Sequence, residues 1–225
     1  EGMDRYNGKD IKHYRLNKDD NSLESPIHLG WIYTNPHIGT WVIGKQGRVF
    51  QYERKYDDFK LVYKLPNSLE TISYGYMDRN NNIWLCRKHS ILLYNTENAQ
   101  ILQFTNILHS NITAIEQVDD HHFFISTETG VRYLKLENGT LKIIPTETLD
   151  YFHVQVNELY CHQASKRLLI GSFERGLFVY DMNNREIIKP EVDLSDVSIT
   201  CMAPLDESQL LISTEGMGVY KININ

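Results

Sequence analysis

A chain of 225 residues can bury a substantial apolar core, and one all-β domain of this size is ordinary, so length alone does not demand two domains. Its balance is mildly acidic, with 23 Lys and Arg against 29 Asp and Glu for a net charge of −6; no basic run or stripe occurs, which argues against nucleic acid as a partner. Cys86, Cys161 and Cys201 lack paired spacing and lie in alternating apolar runs, the pattern of buried small hydrophobes and not of a disulfide framework or zinc knuckle. No apolar run approaches the roughly 18 residues of a membrane helix, and no signal segment opens the chain. The first residues, "EGMDRYNG", read as the middle of something already under way, as in an excised fragment.

In chain order, "GMDRY" and "IKHY" predict the third and fourth strands of a partial unit. "IHLGWIYT" follows as a first strand, then "WVIGKQGRVFQY" from Trp41 as a second and third strand around a short tip, then "FKLVY" (59–63) as an outer strand. The same order returns in "TISYGYMD", "WLCRKHSILLYN" from Trp84 and "QILQF" (100–104), and again in "NITAIEQV", "FISTETGVRYLK" from Phe124 and "LKII" (141–144). It is plainest in "VQVNELYCHQ" (154–163), "LLIGS" (168–172), "LFVYD" (177–181) and "EIIK" (186–189). "SITCMAPL" and "LISTEGMGVYKI", anchored at Leu211, supply three more strands.

Successive anchors lie 40 to 45 residues apart, the spacing of propeller blades. Connections of a few residues join antiparallel neighbours, and no stretch has helical spacing, so each repeat is a four-stranded meander. The predicted fold is an all-β propeller of about five complete blades with partial first and last ones. Taken as one propeller region over 1–225, its units fall at 1–24 (partial), 25–65, 70–105, 110–145, 152–190 and 197–225 (partial). One blade cannot bury both faces alone, so Trp41, Trp84, Phe124, Leu169 and Leu211 are expected to fill layers between blades. Gly130, Gly176 and Gly218 stand where a third strand begins and positive φ is needed, and Asn81 is suited to the same task.

"DRNNNIWLCRKHSILLYN" (78–95) resembles the two-component regulator propeller repeat, and "GMDRYNGKDIKHYRLNKDDNSL" (2–23) resembles the first-blade text of hybrid two-component sensors of gut Bacteroidetes. The likeness spans nearly the whole chain, although Trp occurs in only two of five second strands, and Arg48 and Ser90 replace the glycine at the third-strand entry. It implies a fragment of a seven-bladed propeller in the sensor part of an inner-membrane hybrid histidine kinase, periplasmic and often dimeric, that detects oligosaccharides from glycan breakdown and regulates polysaccharide utilisation. Membrane helix, kinase and receiver would lie in segments downstream, so this region is expected to be no enzyme itself.

Other motifs have plainer readings. "DRNNN" (78–82) imitates a calcium loop, but the central Gly and distal acid are missing, so it reads as a β-turn. His109, His121, His122, His153 and His162 form no close pair with a third ligand nearby, and neither a metal nor a cofactor is expected. There is no nucleophile elbow, and "ETGVRY" and "GSFERG" lead into no helix able to hold a phosphate. Asn111-Ile-Thr and Asn138-Gly-Thr match glycosylation acceptors, incidental in a bacterial protein.

What remains is the surface. In a propeller the loops between second and third strands, and those from an outer strand to the next first strand, gather on one face. The first set supplies Lys45, Gln46, Arg87, His89, Glu128, Phe173, Glu174, Arg175 and Glu215, and the second His109, Tyr151 and His153. Aromatic faces among mixed donors and acceptors suit an oligosaccharide. An ordinary solvated rim is the plain alternative, in which the propeller contributes only dimer or protein-interaction surface. A propeller lyase or lactonase would need converging acids and histidines on first strands, where residues such as Glu116, Glu158 and His162 are scattered.

Overall fold

The computed structural model describes residues 2–16, 28–66, 71–150, 152–188, 190 and 192–224. Contacts divide the chain into two compact units, Glu1–Arg87 with Ile91–Leu102, and Lys88–Ser90 with Gln103–Asn225. The fold is all-β and of the propeller class: short antiparallel strands follow one another, sheet after sheet, in chain order.

The first unit opens with β1 (Met3–Tyr6) and β2 (Ile11–Tyr14), a two-stranded sheet. Next come β3 (Leu29–Asn35), β4 (Gly39–Gly44), β5 (Arg48–Glu53) and β6 (Asp58–Lys64), paired in sequence order. A third sheet, mostly in this unit, comprises β7 (Tyr74–Met77), β8 (Asn82–Arg87), β9 (Ser90–Asn95) and β10 (Ile101–Thr105). Trp41, Ile43, Val49, Ile83, Leu85 and Leu92 form the layer between these two four-stranded sheets. Tyr63 stacks on Tyr94 with ring centroids 5.2 Å apart, and Trp31 meets Tyr74 edge-on at 5.7 Å. Each such buried side chain is worth about 2 kcal/mol of transfer free energy.

In the second unit β11 (Ile112–Gln117), β12 (His122–Thr127), β13 (Gly130–Glu137) and β14 (Thr140–Ile144) form one sheet. After a single helical turn, α1 (Glu147–Asp150), another is built from β15 (Val156–His162), β16 (Arg167–Ser172), β17 (Leu177–Asp181) and β18 (Glu186–Ile188). The fifth repeat has three strands, β19 (Ile199–Pro204), β20 (Gln209–Thr214) and β21 (Gly218–Asn223). Leu169, Val179, Ile199, Met202, Leu210 and Ile212 fill the layer between these last two sheets.

Four of the five anchors are buried to 3 % exposure or less. Leu211 is only half-buried: it alternates with Leu210 and Ile212, which face the preceding sheet, and among the described residues no further sheet covers its own side. Cys86 and Cys161 are buried as expected, but Cys201 is exposed. The cause is a register shift between Ile199 and Cys201 that turns Thr200 and Cys201 outward together. Equivalent bulges occur between Leu29 and Trp31, Ile112 and Ala114, and Val156 and Glu158, one near the start of each of these first strands.

Local turn chemistry follows the sequence closely. Asn81 has φ 61°, and Gly130, Gly176 and Gly218 have φ of 137°, 72° and 86°. Where Arg48 displaces the expected glycine, Gly47 one residue earlier takes φ 76° instead. The "DRNNN" segment is a turn stapled by a buried carboxylate. Asp78 accepts from the Asn80 and Asn82 backbone N–H groups at 2.9 and 2.8 Å, from the Asn82 amide, and from Trp84 Nε1 at 2.8 Å. Burial pushes its pKa up despite those donors.

Candidate functional site

The tips between second and third strands are tied by their backbones to the segments that lead into first strands. Lys45, Phe173 and Glu215 donate their N–H groups to the carbonyls of His28, Gln155 and Ser198 at 2.7 to 2.9 Å. The tips also reach forward to the next repeat. Ile72 N–H donates to Lys45 O, and Gly176 N–H to Val197 O. Gly130 packs so tightly on the Phe152 carbonyl that a Cβ there would lie 2.2 Å from its oxygen. The expected gathering of the two loop sets is thus seen within each unit.

Two groups of predicted residues come together in the second unit. In one, the exposed His89 and His109 rings lie 6.4 Å apart, and Asn106 N–H donates to the His89 carbonyl at 3.0 Å. Glu128, on the next tip, accepts from Asn111 Nδ2 at 3.1 Å and Ser110 Oγ at 3.4 Å. In the other group, Ser198 is the hub: its Oγ accepts from Glu174 N–H at 3.2 Å, and its carbonyl accepts from Glu215 N–H at 2.9 Å. Arg175 N–H donates to the buried Ser172 Oγ, which itself donates to Gly176 O. The side chains of Phe173, Glu174, Arg175 and Glu215 are left exposed on a fixed backbone. Such pre-ordering lowers the entropic cost of binding.

The remaining predicted residues are not drawn into either group. Lys45 is exposed and Gln46 half-buried in the first unit, where Gln46 Oε1 accepts from His28 N–H. Arg87 is half-buried near Tyr63, whose hydroxyl is pushed up by burial and drawn back by that guanidinium. His153 is exposed beside Phe152, and Tyr151 lies outside the described residues. Ser110, Asn111 and Ser198 were absent from the sequence-based set. Their signal, a hydroxyl or amide just before a first strand, is too common to read without neighbours.

The first strands of the second unit are mostly satisfied internally. Glu116 accepts from Cys161 N–H, Asn157 donates to Ile199 O, and His162 bridges Ser165 Oγ and the Glu207 carbonyl. Glu158 is the exception, a half-buried carboxyl pushed up by burial to about 7 against a single opposing backbone hydrogen bond from Leu159. Burial, with Glu158 nearby, also raises the Cys201 thiol, and burial raises Cys86, so both thiols are held protonated and poorly nucleophilic. Two clefts occur away from the tips. One, of about 120 Å³, is apolar and lies along Leu177, Val179, Ile188 and Ile222; the other, of about 190 Å³, lies between Tyr133, Tyr180 and Arg185. Neither is lined by a predicted site residue, and both are small beside ligand pockets of roughly 300 Å³ and above.

No protein-family model matches the sequence, and no curated protein matches it. Solved structures match by fold. The extracellular domain assigned to the hybrid two-component system BT3049 of B. thetaiotaomicron superposes with a TM-score of 0.72 at 17 % identity over 100 % of this chain and 31 % of its own. That of the one-component system BT4673 from the same organism gives 0.69 at 17 % identity, over 100 % and 29 %. YCF48 from Cyanidioschyzon merolae gives 0.70 at 11 % identity, over 96 % and 71 %, and YCF48 also matches as its complex with a D1 peptide. This chain spans about a third of the length of the two B. thetaiotaomicron domains. At these identities what is shared is the β-propeller fold, which serves extracellular sensor domains and other propellers alike.

Proposed function

We propose that this chain is a non-catalytic ligand-sensing propeller module of an extracytoplasmic signalling receptor, of the hybrid two-component kind. Its ligand is an oligosaccharide released from a glycan, and the receptor works as a periplasmic dimer controlling polysaccharide utilisation. The observation that carries this reading is the Ser198-centred tip group. Phe173 offers an aromatic face, and Glu174, Arg175 and Glu215 offer acceptors and donors, all exposed on a backbone held by hydrogen bonds. A sugar needs that mixture, a ring for its CH face and paired donors and acceptors for its hydroxyls. The fold of the BT3049 and BT4673 extracellular domains, matched over the whole of this chain, supports the setting. Such a ligand acts only through different affinities for two receptor states.

The test is calorimetric titration of the chain with a panel of plant and host oligosaccharides, beside a variant carrying Phe173→Ala, Arg175→Ala and His153→Ala. Saturable binding by the parent and at least ~10-fold weaker binding by the variant is expected, corresponding to about 1.4 kcal/mol or more. Equal affinities would move the site off these tips, and no binding across the panel would overturn the sugar reading. A second reading, a protein-binding propeller, draws on the match to YCF48 in its complex with a D1 peptide. In that case the tips engage an extended chain, and peptide arrays in place of sugars give the signal.

A further inference from the structure

β1 and β2 pair antiparallel with Arg5 directly across from Lys12, and like charges opposite one another repel. Apolar contact contributes modestly: Met3 packs on Val42 and Phe50, and the Tyr14 ring meets Phe59 edge-on at 5.2 Å.

The compensation comes from one residue in the β5–β6 turn. Asp57, at φ 48°, places Oδ1 2.9 Å from Arg5 Nη1, 2.9 Å from the Tyr14 hydroxyl and 2.5 Å from the Tyr52 hydroxyl. Its Oδ2 lies 3.2 Å from Arg5 Nη2 and 2.7 Å from Lys12 Nζ, and Lys12 Nζ also donates to the Asp57 carbonyl at 2.6 Å. Three of the four donor residues, Arg5, Lys12 and Tyr14, belong to the hairpin, and the carboxylate, held by both cations, offsets much of their mutual repulsion.

We propose that Asp57 is a latch and β1–β2 a strap, fastened electrostatically over the Phe50 and Phe59 side of the β3–β6 sheet and releasable as a unit without unfolding that sheet. Lys12 and the hydroxyl of Tyr52 hold the Asp57 carboxyl well below the ordinary carboxylate range. The sign follows: a lowered acid stabilises above its unfolded value and loses that effect only as pH falls through the folded one, so mild acid leaves the latch closed. The Tyr14 hydroxyl, pushed up to about 12 mainly by burial and by its hydrogen bond to Asp57, stays a donor throughout. Salt is the effective release, because exposed charges are screened within a few ångströms at molar ionic strength.

Hydrogen exchange on the full chain, read by mass spectrometry, tests this. With Asp57→Ala, amides in β1–β2 should exchange at least ~30-fold faster while β4, β8 and β16 stay within about twofold. Raising NaCl from about 0.05 to 1 M should speed hairpin exchange several-fold in the parent, and in the variant it should leave exchange unmoved or slow it, because salt then screens only the repulsion between Arg5 and Lys12. The double variant Arg5→Gln, Lys12→Gln, which keeps the carboxylate and its tyrosine donors, should lose the salt response as well. Unchanged hairpin exchange in Asp57→Ala, or loss of protection from every strand together in both variants, overturns the latch.

Discussion

The turns at Asp78 and Asp57 each rest on one carboxylate, and they use it in opposite ways. Asp78 is buried and spends its oxygens on the backbone and indole of its own turn, within six residues. Asp57 is partly exposed and gathers side chains from 43 to 52 residues upstream. The first is part of the repeat and shapes a single sheet. The second belongs to no repeat and joins two sheets. A propeller array thus keeps its local geometry in recurring residues and leaves the fastening of particular neighbours to residues that occur once.

Substitutions can break this contrast in graded steps. Asp78→Ala should have the largest effect on stability, about 4 kcal/mol in urea unfolding, since it strands the Trp84 indole N–H and two turn amides in a buried setting. Asp78→Asn should recover part of that. Gly176→Ala should come next at about 3 kcal/mol, because a Cβ would lie 1.7 Å from the Leu194 carbonyl oxygen at φ 72°. Gly218→Ala has positive φ but open space, and should cost about 1 kcal/mol, which isolates the packing part.

Glu158 supplies a third kind of carboxylate, neither stapled nor paired, and its effect depends on pH. Its folded value, about 7, is above the ordinary glutamate value of 4.5, so its favourable contribution is complete below the unfolded value and is lost as pH rises through the folded one. Glu158→Gln should therefore gain about 2 kcal/mol relative to the parent between pH 4.5 and pH 8, seen as diverging Tm curves. The tip variant Phe173→Ala, Arg175→Ala, His153→Ala should change stability least, by less than about 0.5 kcal/mol per site in urea unfolding, because these side chains stand in solvent. A large loss there would mean the tips are structural and weaken the binding reading.

Much of the architecture is legible in the sequence because its causes are local. Trp41, Trp84, Phe124 and Leu169 recur at blade spacing and are buried, and Asn81 and Gly176 sit at the turns their backbone preferences suit. The site is legible only in outline. Loop chemistry picks out Glu174 and Glu215 separately, but their meeting at Ser198 depends on two sheets packing together. The Asp57 network is hidden for the same reason. Cys201 departs from strict alternation because a bulge displaces every later residue by one position and leaves no mark in the sequence.

That repeated bulge also sets the kind of sequence change each repeat can survive. Turns such as Asp181 to Arg185 lie at the surface and can lengthen with little effect on the strands beside them. The extra residue itself, Gly30, Thr113, Asn157 or Thr200, can be lost with the frame kept, because the residues on either side of it already pair with consecutive partners. Loss of a residue past it, Leu159 for example, would act on the sheet as a reading-frame slip acts on a message, turning Tyr160 into the buried layer and Cys161 out of it. The bulge is thus the place in each of these strands where a change of one residue is absorbed.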